Sequence, residues 1–309
     1  MSSITVTYSL YCGFDYRRLM ASITSVLSQK GIDPQIIISE QNLESHLEGL
    51  MGPLPVTHLF SRPPVDEFGN LVYNTGKIRN AAVSKVTTDY IYLNDADIIF
   101  SSENYLANLL ADIKEEEALI WPPSRGLIKE DVESFLSLID RKGFENAMRE
   151  INLPNEYVAS LSTEVAPLKV VKHKNGRIYV TEMSTFERYL SDESMRGLEP
   201  IFWRDVVHIG GIFTETRIVR AVGCYTDSYL TWGYEDVDLQ WKLSQKCRVR
   251  TISPIKKFEV LHLDHDKNYF SEEQNDKNRT VFEKRQQEGI EKAIANDLEG
   301  LRCGMDWID

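Results

Sequence analysis

Cysteine is scarce. Cys12, Cys224, Cys247 and Cys303 are scattered along the chain with no CxxC pair among them. That scatter argues against a disulfide framework or a zinc cluster and predicts reduced, mostly structural thiols. Clustered basic residues are missing too: 35 Lys and Arg face 47 Asp and Glu, for a formal net charge of −12. Phosphate backbones and anionic bilayers are held by clustered positive charge, so neither nucleic acid nor a membrane surface is an expected partner. No uninterrupted apolar run is long enough to span a bilayer, and MSSITVTYSLY lacks the basic start and apolar core of a signal peptide. The expectation is a soluble, cytoplasmic protein with no integral membrane segment. No internal repeat or low-complexity tract stands out. A glycine-rich triphosphate loop after the first strand is also lacking, which argues against a nucleotidyltransferase.

What is present is a core. With 42% hydrophobic residues in 309, the chain suits one large α/β domain with an embellishment. ITVTYSLY alternates apolar and polar, Leu19, Ile23, Val26 and Leu27 share a helical face, and QIIIS is a short buried-strand run. Leu43, Leu47 and Leu50 suggest a further helix, VTHLF a strand, and Ile78 with Ala81 and Ala82 a helix leading into YIYLNDADIIF. Alternation of this kind predicts a doubly wound, mostly parallel sheet over residues 1–121. Residues 122–200 read as an insertion, with a long helix marked by Val132, Phe135, Leu136 and Ile139 and a hairpin in VVKHKNGRIYV turning at Asn175-Gly176. Residues 201–309 return to the fold and end in a helix marked by Ile290, Ile294 and Leu298; the polar run from Ser271 to Arg279 reads as an exposed loop. In doubly wound sheets ligands bind outside the carboxyl ends of the strands. Glu40, Asp95 and Asp97 all fall at that edge.

Three stretches carry candidate chemistry. Asp95-Ala96-Asp97 sets two carboxylates two residues apart where a strand ends, within reach of a hard divalent cation. Alone, such a triplet is more often a turn or a helix cap. In TWGYEDVDLQWKL, Glu235, Asp236 and Asp238 crowd the first turn of a helix, where the macrodipole favours acids by about 0.3–1 kcal/mol each. Macrodipole complementarity does not explain the Trp232-Gly233-Tyr234 corner before them, a flat platform suited to a sugar ring beside a carboxylate placed to act as general base. In VLHLDHDKN, His262 and His265 flank an aspartate near a strand end, which makes one of them a plausible metal ligand. Mixed carboxylate and imidazole donors suit Mn²⁺ better than Ca²⁺, with Mg²⁺ as the alternative cation. Lys77 and Arg79, close to the triplet along the chain, are equally readable as anion ligands or as a solvated helix face.

Taken together, NTGKIRNAAVSKVTTDYIYLNDADIIF, GGIFTETRIVRAVGCYTDSYLTWGYEDVDLQWKL and VLHLDHDKN resemble inverting GT-A glycosyltransferases. The likeness is to the family-2 type joined to the galactosyltransferase-like region of β-1,4-galactosyltransferases and chondroitin-type polymerases. It covers roughly residues 4 to 100 and 205 to 270, and the ordered set of motifs is more specific than any one of them. The resemblance implies a GT-A fold, a nucleotide-sugar-binding half over 1–121, an acceptor lid over 122–200 and an acceptor half over 201–309. It implies that Asp97 binds Mn²⁺ against the diphosphate of a UDP-sugar, with His262 completing the site and His265 a substitute. Asp95 would lie nearer the ribose, and Glu40, Lys77, Arg79, Gly211 and Trp232 would line the donor site. Asp236 takes the catalytic-base position and Glu235 the acceptor-hydroxyl position.

Two positions depart from the family pattern. Tyr234 replaces the second glycine of W-G-G-E-D-x-D and is expected to add bulk beside the acceptor, and Cys224 stands where Gly-Phe is usual. The expected activity is transfer of a hexose or N-acetylhexosamine to a saccharide or other hydroxyl-bearing acceptor, with inversion. The competing expectations are a retaining enzyme of the polypeptide N-acetylgalactosaminyltransferase kind and a nucleotide-sugar-binding module without turnover.

Overall fold

A computed structural model describes residues 3–11, 14–49, 52, 54–65, 67, 69, 71–127, 129–151, 156–159, 169–172, 178–180, 200–202, 208–252, 255–265 and 271–303. The strands are β1 (Ile4–Tyr11), β2 (Gln35–Gln41), β3 (Val56–Ser61), β4 (Tyr90–Asn94), β5 (Ile98–Phe100), β6 (Glu117–Ile120), β7 (Ser124–Leu127), β8 (Glu156–Ala159), β9 (Lys169–Lys172), β10 (Ile178–Val180), β11 (Pro200–Phe202), β12 (Ile212–Glu215), β13 (Arg248–Thr251) and β14 (Val260–Leu263). The helices are α1 (Tyr16–Leu27), α2 (Thr75–Lys85), α3 (Tyr105–Asp112), α4 (Lys129–Lys142), α5 (Phe144–Glu150), α6 (Thr216–Ala221), α7 (Glu235–Leu243), α8 (Glu272–Glu288) and α9 (Ile290–Cys303).

The central sheet has the order β13-β6-β12-β4-β1-β2-β3. All its pairings are parallel except those of β12, which runs against β4 and β6. Strand alternation sorts its side chains onto two faces. Val6, Tyr8, Ile38 and Tyr92 meet α1 and α3 on one face, through Leu19, Ile23, Tyr105 and Leu109. Ile37, Ile91 and Leu93 meet α2, α6, α7 and α9 on the other, through Val83, Val219, Leu239 and Ile294. Helices on both faces of a mostly parallel sheet make the doubly wound α/β architecture that the strand-helix alternation predicts.

YIYLNDADIIF is not one strand. β4 ends at Asn94 in the central sheet, and β5 belongs to a separate three-stranded sheet of order β5-β14-β7. Asp95-Ala96-Asp97 is the turn between the two sheets, closed by Ile98 N–H on the Asp95 carbonyl at 3.3 Å. β7 runs parallel to β14, and α4 and α5 cover this small sheet with Val132, Phe135, Leu136 and Ala147. Strands β8 to β11 form a four-stranded sheet that begins within 122–200 and ends with β11 at Phe202. β9 and β10 pair antiparallel as the hairpin reading requires, while its Asn175-Gly176 turn lies outside the described residues.

Two expectations fail. The leucines at 43 and 47 do not mark a helix: the described residues 42–49 form an irregular loop, with Leu43 exposed and Leu47 buried, and Leu50 lies outside the described residues. The loop closes around a carboxylate instead. Glu40, fully buried, accepts from Ser45 Oγ and His46 N–H at 2.8 Å each and pairs with His58 Nε2 at 3.0 Å. The polar run from Ser271 is likewise no loop but the start of α8, which Ser271 caps by accepting from Gln274 N–H. Its inward positions are Asn278, Phe282 and Arg285, so apolar periodicity is nearly absent. Among the described residues, no helix is long and apolar enough to cross a membrane.

α2 is strapped to the loop before α7. Asn74 Nδ2 donates to the Asp227 carbonyl at 2.6 Å, Thr75 Oγ1 to the Thr231 carbonyl at 2.9 Å, and Asn80 exchanges two hydrogen bonds with the Tyr225 backbone. Gly76 permits this approach, because a Cβ there would lie 2.0 Å from the Thr226 carbonyl oxygen. Gly76→Ala is therefore expected to lower the unfolding free energy by about 3 kcal/mol or more. Gly300→Ala in α9, where a Cβ meets nothing within 4 Å, should raise it by about 0.5–1 kcal/mol. Urea denaturation of the two variants measures both; equal effects would show that α2 does not bear on the loop.

Candidate active site

Helix α7 begins after a corner of unusual backbone. Thr231, Gly233 and Tyr234 have φ of 55°, 114° and 70°. A left-handed tyrosine is strained where glycine is not. Its ring is compensated by packing, lying against Phe282 of α8 at 5.6 Å between centroids. The corner is also pinned from α8 by Asn278, whose Nδ2 reaches the carbonyls of Leu230, Trp232 and Gly233 at 3.0–3.2 Å. Glu235 bends back to accept from Gly233 N–H at 2.9 Å.

Three segments converge on one guanidinium. Arg79 of α2 has its Nη2 3.1 Å from Asp95 Oδ1, 3.4 Å from Asp236 Oδ2 and 3.7 Å from Glu235 Oε1, and its charge lies 5.1 Å from the Tyr225 ring centroid. Tyr225 donates to Asp236 Oδ1 at 3.2 Å, and His208 Nε2 lies 2.9 Å from Asp95 Oδ2. Gly210 leaves room for these carboxylates, since a Cβ there would be 2.7 Å from Asp95 Oδ2 and 3.3 Å from Asp236 Oδ2.

One cation among three carboxylates leaves unbalanced negative charge, and protonation responds. Burial, reinforced by Asp236, pushes Glu235 up to about 7. Burial also raises Asp236, with Arg79 opposing it. Asp95 goes the other way: burial would raise it, but Arg79 and His208 outweigh that and bring it down to about 2. Arg79 itself is held well above the ordinary range, the surrounding acids overcoming its burial.

Asp97 points to a second group. Its Oδ2 lies 3.1 Å from His262 Nε2 and 2.8 Å from His265 Nε2. Burial would raise this carboxyl, but the two imidazoles hold it well below the usual range. The three ligand atoms all lie within 4.8 Å of one another. One ionised carboxylate and two imidazoles, each partly exposed, are a donor set that fits a first-row divalent cation.

The structure thus brings Arg79, Asp95, Glu235 and Asp236 together, and Asp97 with His262 and His265. Glu40 stands apart from these contacts, both its oxygens engaged in the 42–49 loop. Lys77 lies 3.9 Å from Asp227. Gly211 packs against Pro122 and the His208 ring, and Trp232 is partly exposed on the corner. Asp238, in the same motif as Asp236, faces inward: it is fully buried on Arg285 at 2.7 Å and Tyr229 at 2.9 Å. His208 and Tyr225 escape a reading by sequence motif. The signal for His208 is its place two residues before the glycine pair; Tyr225 has no local signal, because Asn80 and Arg79 bring it to the site.

No family model matches the chain, and no curated protein matches it. Among solved structures it is similar to the mannosyltransferase PcManGT from Pyrobaculum calidifontis in complex with GDP-Man and Mn²⁺, with 11% identity, a TM-score of 0.43, and coverage of 85% of this chain and 58% of that one. It is also similar to TarS of S. aureus, with 13% identity, a TM-score of 0.47, and coverage of 91% of this chain and 39% of that one. The chain thus spans less than two thirds of the length of either.

Glu235 makes stability depend on pH. Its carboxyl moves from an ordinary 4.5 to about 7 on folding, so between those values the folded chain keeps a proton that the unfolded chain has released. Stability then falls as pH rises through that window. Glu235→Gln should lack this fall, gaining on the order of 3 kcal/mol relative to the parent between pH 4.5 and 7.5. Urea denaturation across that range measures the difference, and a flat one would mean that Glu235 titrates as an ordinary carboxylate.

Proposed function

We propose that the chain is a metal-dependent, inverting glycosyltransferase of GT-A type that moves a hexose or N-acetylhexosamine from a UDP-sugar to an acceptor hydroxyl. One observation carries this reading. At the carboxyl edge of a doubly wound sheet, the turn Asp95-Ala96-Asp97 divides its two carboxylates between a histidine pair and an arginine-held acid pair.

Asp97 and His262 would hold Mn²⁺. The cation, when bound, supplies Lewis-acid relief of the charge that develops on a departing diphosphate. Asp236 is the general base. It takes the proton of the acceptor hydroxyl as that oxygen forms its bond to the anomeric carbon and the bond to the diphosphate breaks, so one displacement inverts the centre. Burial favours proton uptake by Asp236, while Arg79 opposes it and favours the carboxylate. Tyr225 holds Oδ1 and fixes the direction in which the carboxylate faces. Glu235 receives the acceptor hydroxyl, and the Trp232 to Tyr234 corner orients its ring.

Asp236→Asn should lower transfer by at least about a thousandfold while Mn²⁺-dependent UDP binding, followed by calorimetry, stays within about threefold of the parent. Asp97→Ala should instead lose the metal-dependent nucleotide affinity. Transfer by Asp236→Asn at the parental rate would remove Asp236 as the base. NMR of the product anomer separates this reading from a retaining enzyme, and a chain that binds UDP-sugar yet neither transfers nor slowly hydrolyses it would be a binding module.

A further inference from the structure

We propose that Trp121, held by Gln240 of α7, is a subsite for the sugar next to the one that reacts, so that the acceptor is an oligosaccharide of at least two pyranose rings. The reacting ring rests on the transferase reading; the aromatic subsite rests on its own geometry.

Trp121 follows directly on β6 and lies outside the motifs that carry the family resemblance. β6 and β4 both run against β12, so they end at the same edge of the central sheet, the edge that presents Asp95. Two contacts set the residues after β6 against the glycine pair. His208 N–H donates to the Pro122 carbonyl at 3.0 Å, and a Cβ on Gly211 would lie 2.8 Å from Pro122 Cγ. Gly210, beside them, is the residue whose missing Cβ leaves room for Asp236 Oδ2.

The indole is fixed in direction. Its Nε1–H donates to Gln240 Oε1 at 2.8 Å, and Gln240 Nε2 donates in turn to the Ile209 carbonyl at 2.7 Å. A buried amide thus spends both its ends on holding a ring that stays 38% exposed. Trp121 also has a left-handed backbone, φ 56°, which is strained for a residue with a Cβ and persists where the surroundings enforce it. Ile209 and Val237 are exposed as well, and Val237 lies one turn before Gln240 on α7. A rigid, exposed aromatic face with apolar neighbours matches the C–H face of a pyranose, whose hydroxyls lie around its rim and remain in water.

Position decides which ring is taken. Asp236 and Gln240 share one face of α7, four residues and about 6 Å apart along its axis. The reacting ring occupies the Trp232 corner before Asp236, whereas the indole is held one turn beyond Asp236, a span on the order of one sugar ring. Trp121 therefore meets the neighbouring ring.

The test uses the full chain with Mn²⁺ and UDP-sugars. The acceptors are methyl glycosides of common hexoses and N-acetylhexosamines, beside the disaccharides built from them. The kcat/KM of the best disaccharide should exceed that of its monosaccharide by at least about tenfold, a factor that a tryptophan anchor commonly supplies. Trp121→Ala should bring this ratio near one through KM rather than kcat, and Trp121→Phe, which keeps a flat ring, should restore most of it. ¹⁵N-tryptophan labelling resolves the indoles of the five tryptophans. The Trp121 signal, assigned by its loss in Trp121→Phe, should shift with disaccharide and not with monosaccharide in the presence of Mn²⁺ and UDP. The proposal is overturned by a parental ratio near one, by a ratio that survives Trp121→Ala, or by disaccharides that leave the Trp121 signal in place. The parental ratio needs no variant and stands even if Trp121→Ala fails to fold. A disaccharide that moves the Trp121 signal yet receives sugar from no UDP-sugar would leave the subsite intact and remove the transferase reading; equal transfer to both acceptor sizes would do the reverse.

Discussion

Everything in the acid half of the site depends on one buried cation. Arg79 is nearly enclosed and faces Asp95, Glu235 and Asp236 at 3.1–3.7 Å. Three carboxylates gathered there repel one another, and the guanidinium favours their ionised forms. A buried arginine is in turn tolerated only when its charge is matched and its position fixed. The hydrogen bonds of Asn74, Thr75 and Asn80 to the loop before α7 serve that requirement. They bind α2, which carries the cation, to the segment that delivers two of the anions. The motif N-T-G-K-I-R-N is thus a fastening as much as a ligand set: its asparagines cap and strap, its glycine allows contact, and its arginine sets the charge.

A second buried network explains why α7 can open on a strained corner. Asp238, Lys242, Arg285 and Asp297 are each nearly or fully buried, two of each sign. Arg285 engages both Asp238 and Asp297, and Lys242 also donates to the Cys224 carbonyl. The network ties α7 to α8, α9 and the loop that ends in Tyr225. Breaking one partner leaves an uncompensated buried charge, which costs about 3–5 kcal/mol. That penalty exceeds the 1–3 kcal/mol of a residue held in a sparsely populated backbone region, so the corner at Tyr234 persists. The acids of E-D-x-D accordingly divide. Glu235 and Asp236 face Arg79, while Asp238, two residues on, faces the interior and anchors the helix.

The doubly wound sheet was legible because short apolar strand runs alternate along the chain with helices that carry apolar stripes. The turn 95–97 and the histidines in and just after β14 stood out because polar groups interrupt apolar runs near strand ends, and the acids of α7 because they crowd a first turn behind an aromatic corner. Other features carried no such contrast. α8 buries Asn278 and Arg285 rather than leucines, so a period of 3.6 residues in hydrophobicity does not reveal it. Leu43 and Leu47 have helical spacing, but the buried Glu40 carboxylate takes the loop's N–H and hydroxyl donors and prevents a helix from forming. His208 and Tyr225 reach the site through tertiary contacts, which spacing along the chain does not encode. The division of Asp95 from Asp97 is also tertiary, because it arises from two strands belonging to different sheets.

That division shapes what the site is able to do. Asp95 leaves β4 and joins the arginine cluster of the central sheet, whereas Asp97 enters β5 and joins the histidines of the small sheet. Ser22 of α1 donates to the Ile98 carbonyl and Ser25 accepts from Phe100 N–H at 3.1 Å, so α1 holds β5 in register against the central core. A ligand that touches both halves must span this turn, and its reacting atoms are aligned only as well as the two sheets are. Chemistry that needs a cation on one side of a bond and a base on the other is sensitive to displacements on the order of 1 Å. A single turn of three residues, held at its β5 end by the buried hydrogen bonds of Ser22 and Ser25, meets that demand more closely than a flexible loop carrying both carboxylates would. The short link between Asp95 and Asp97 is therefore the dimension that couples the histidine half to the acid half.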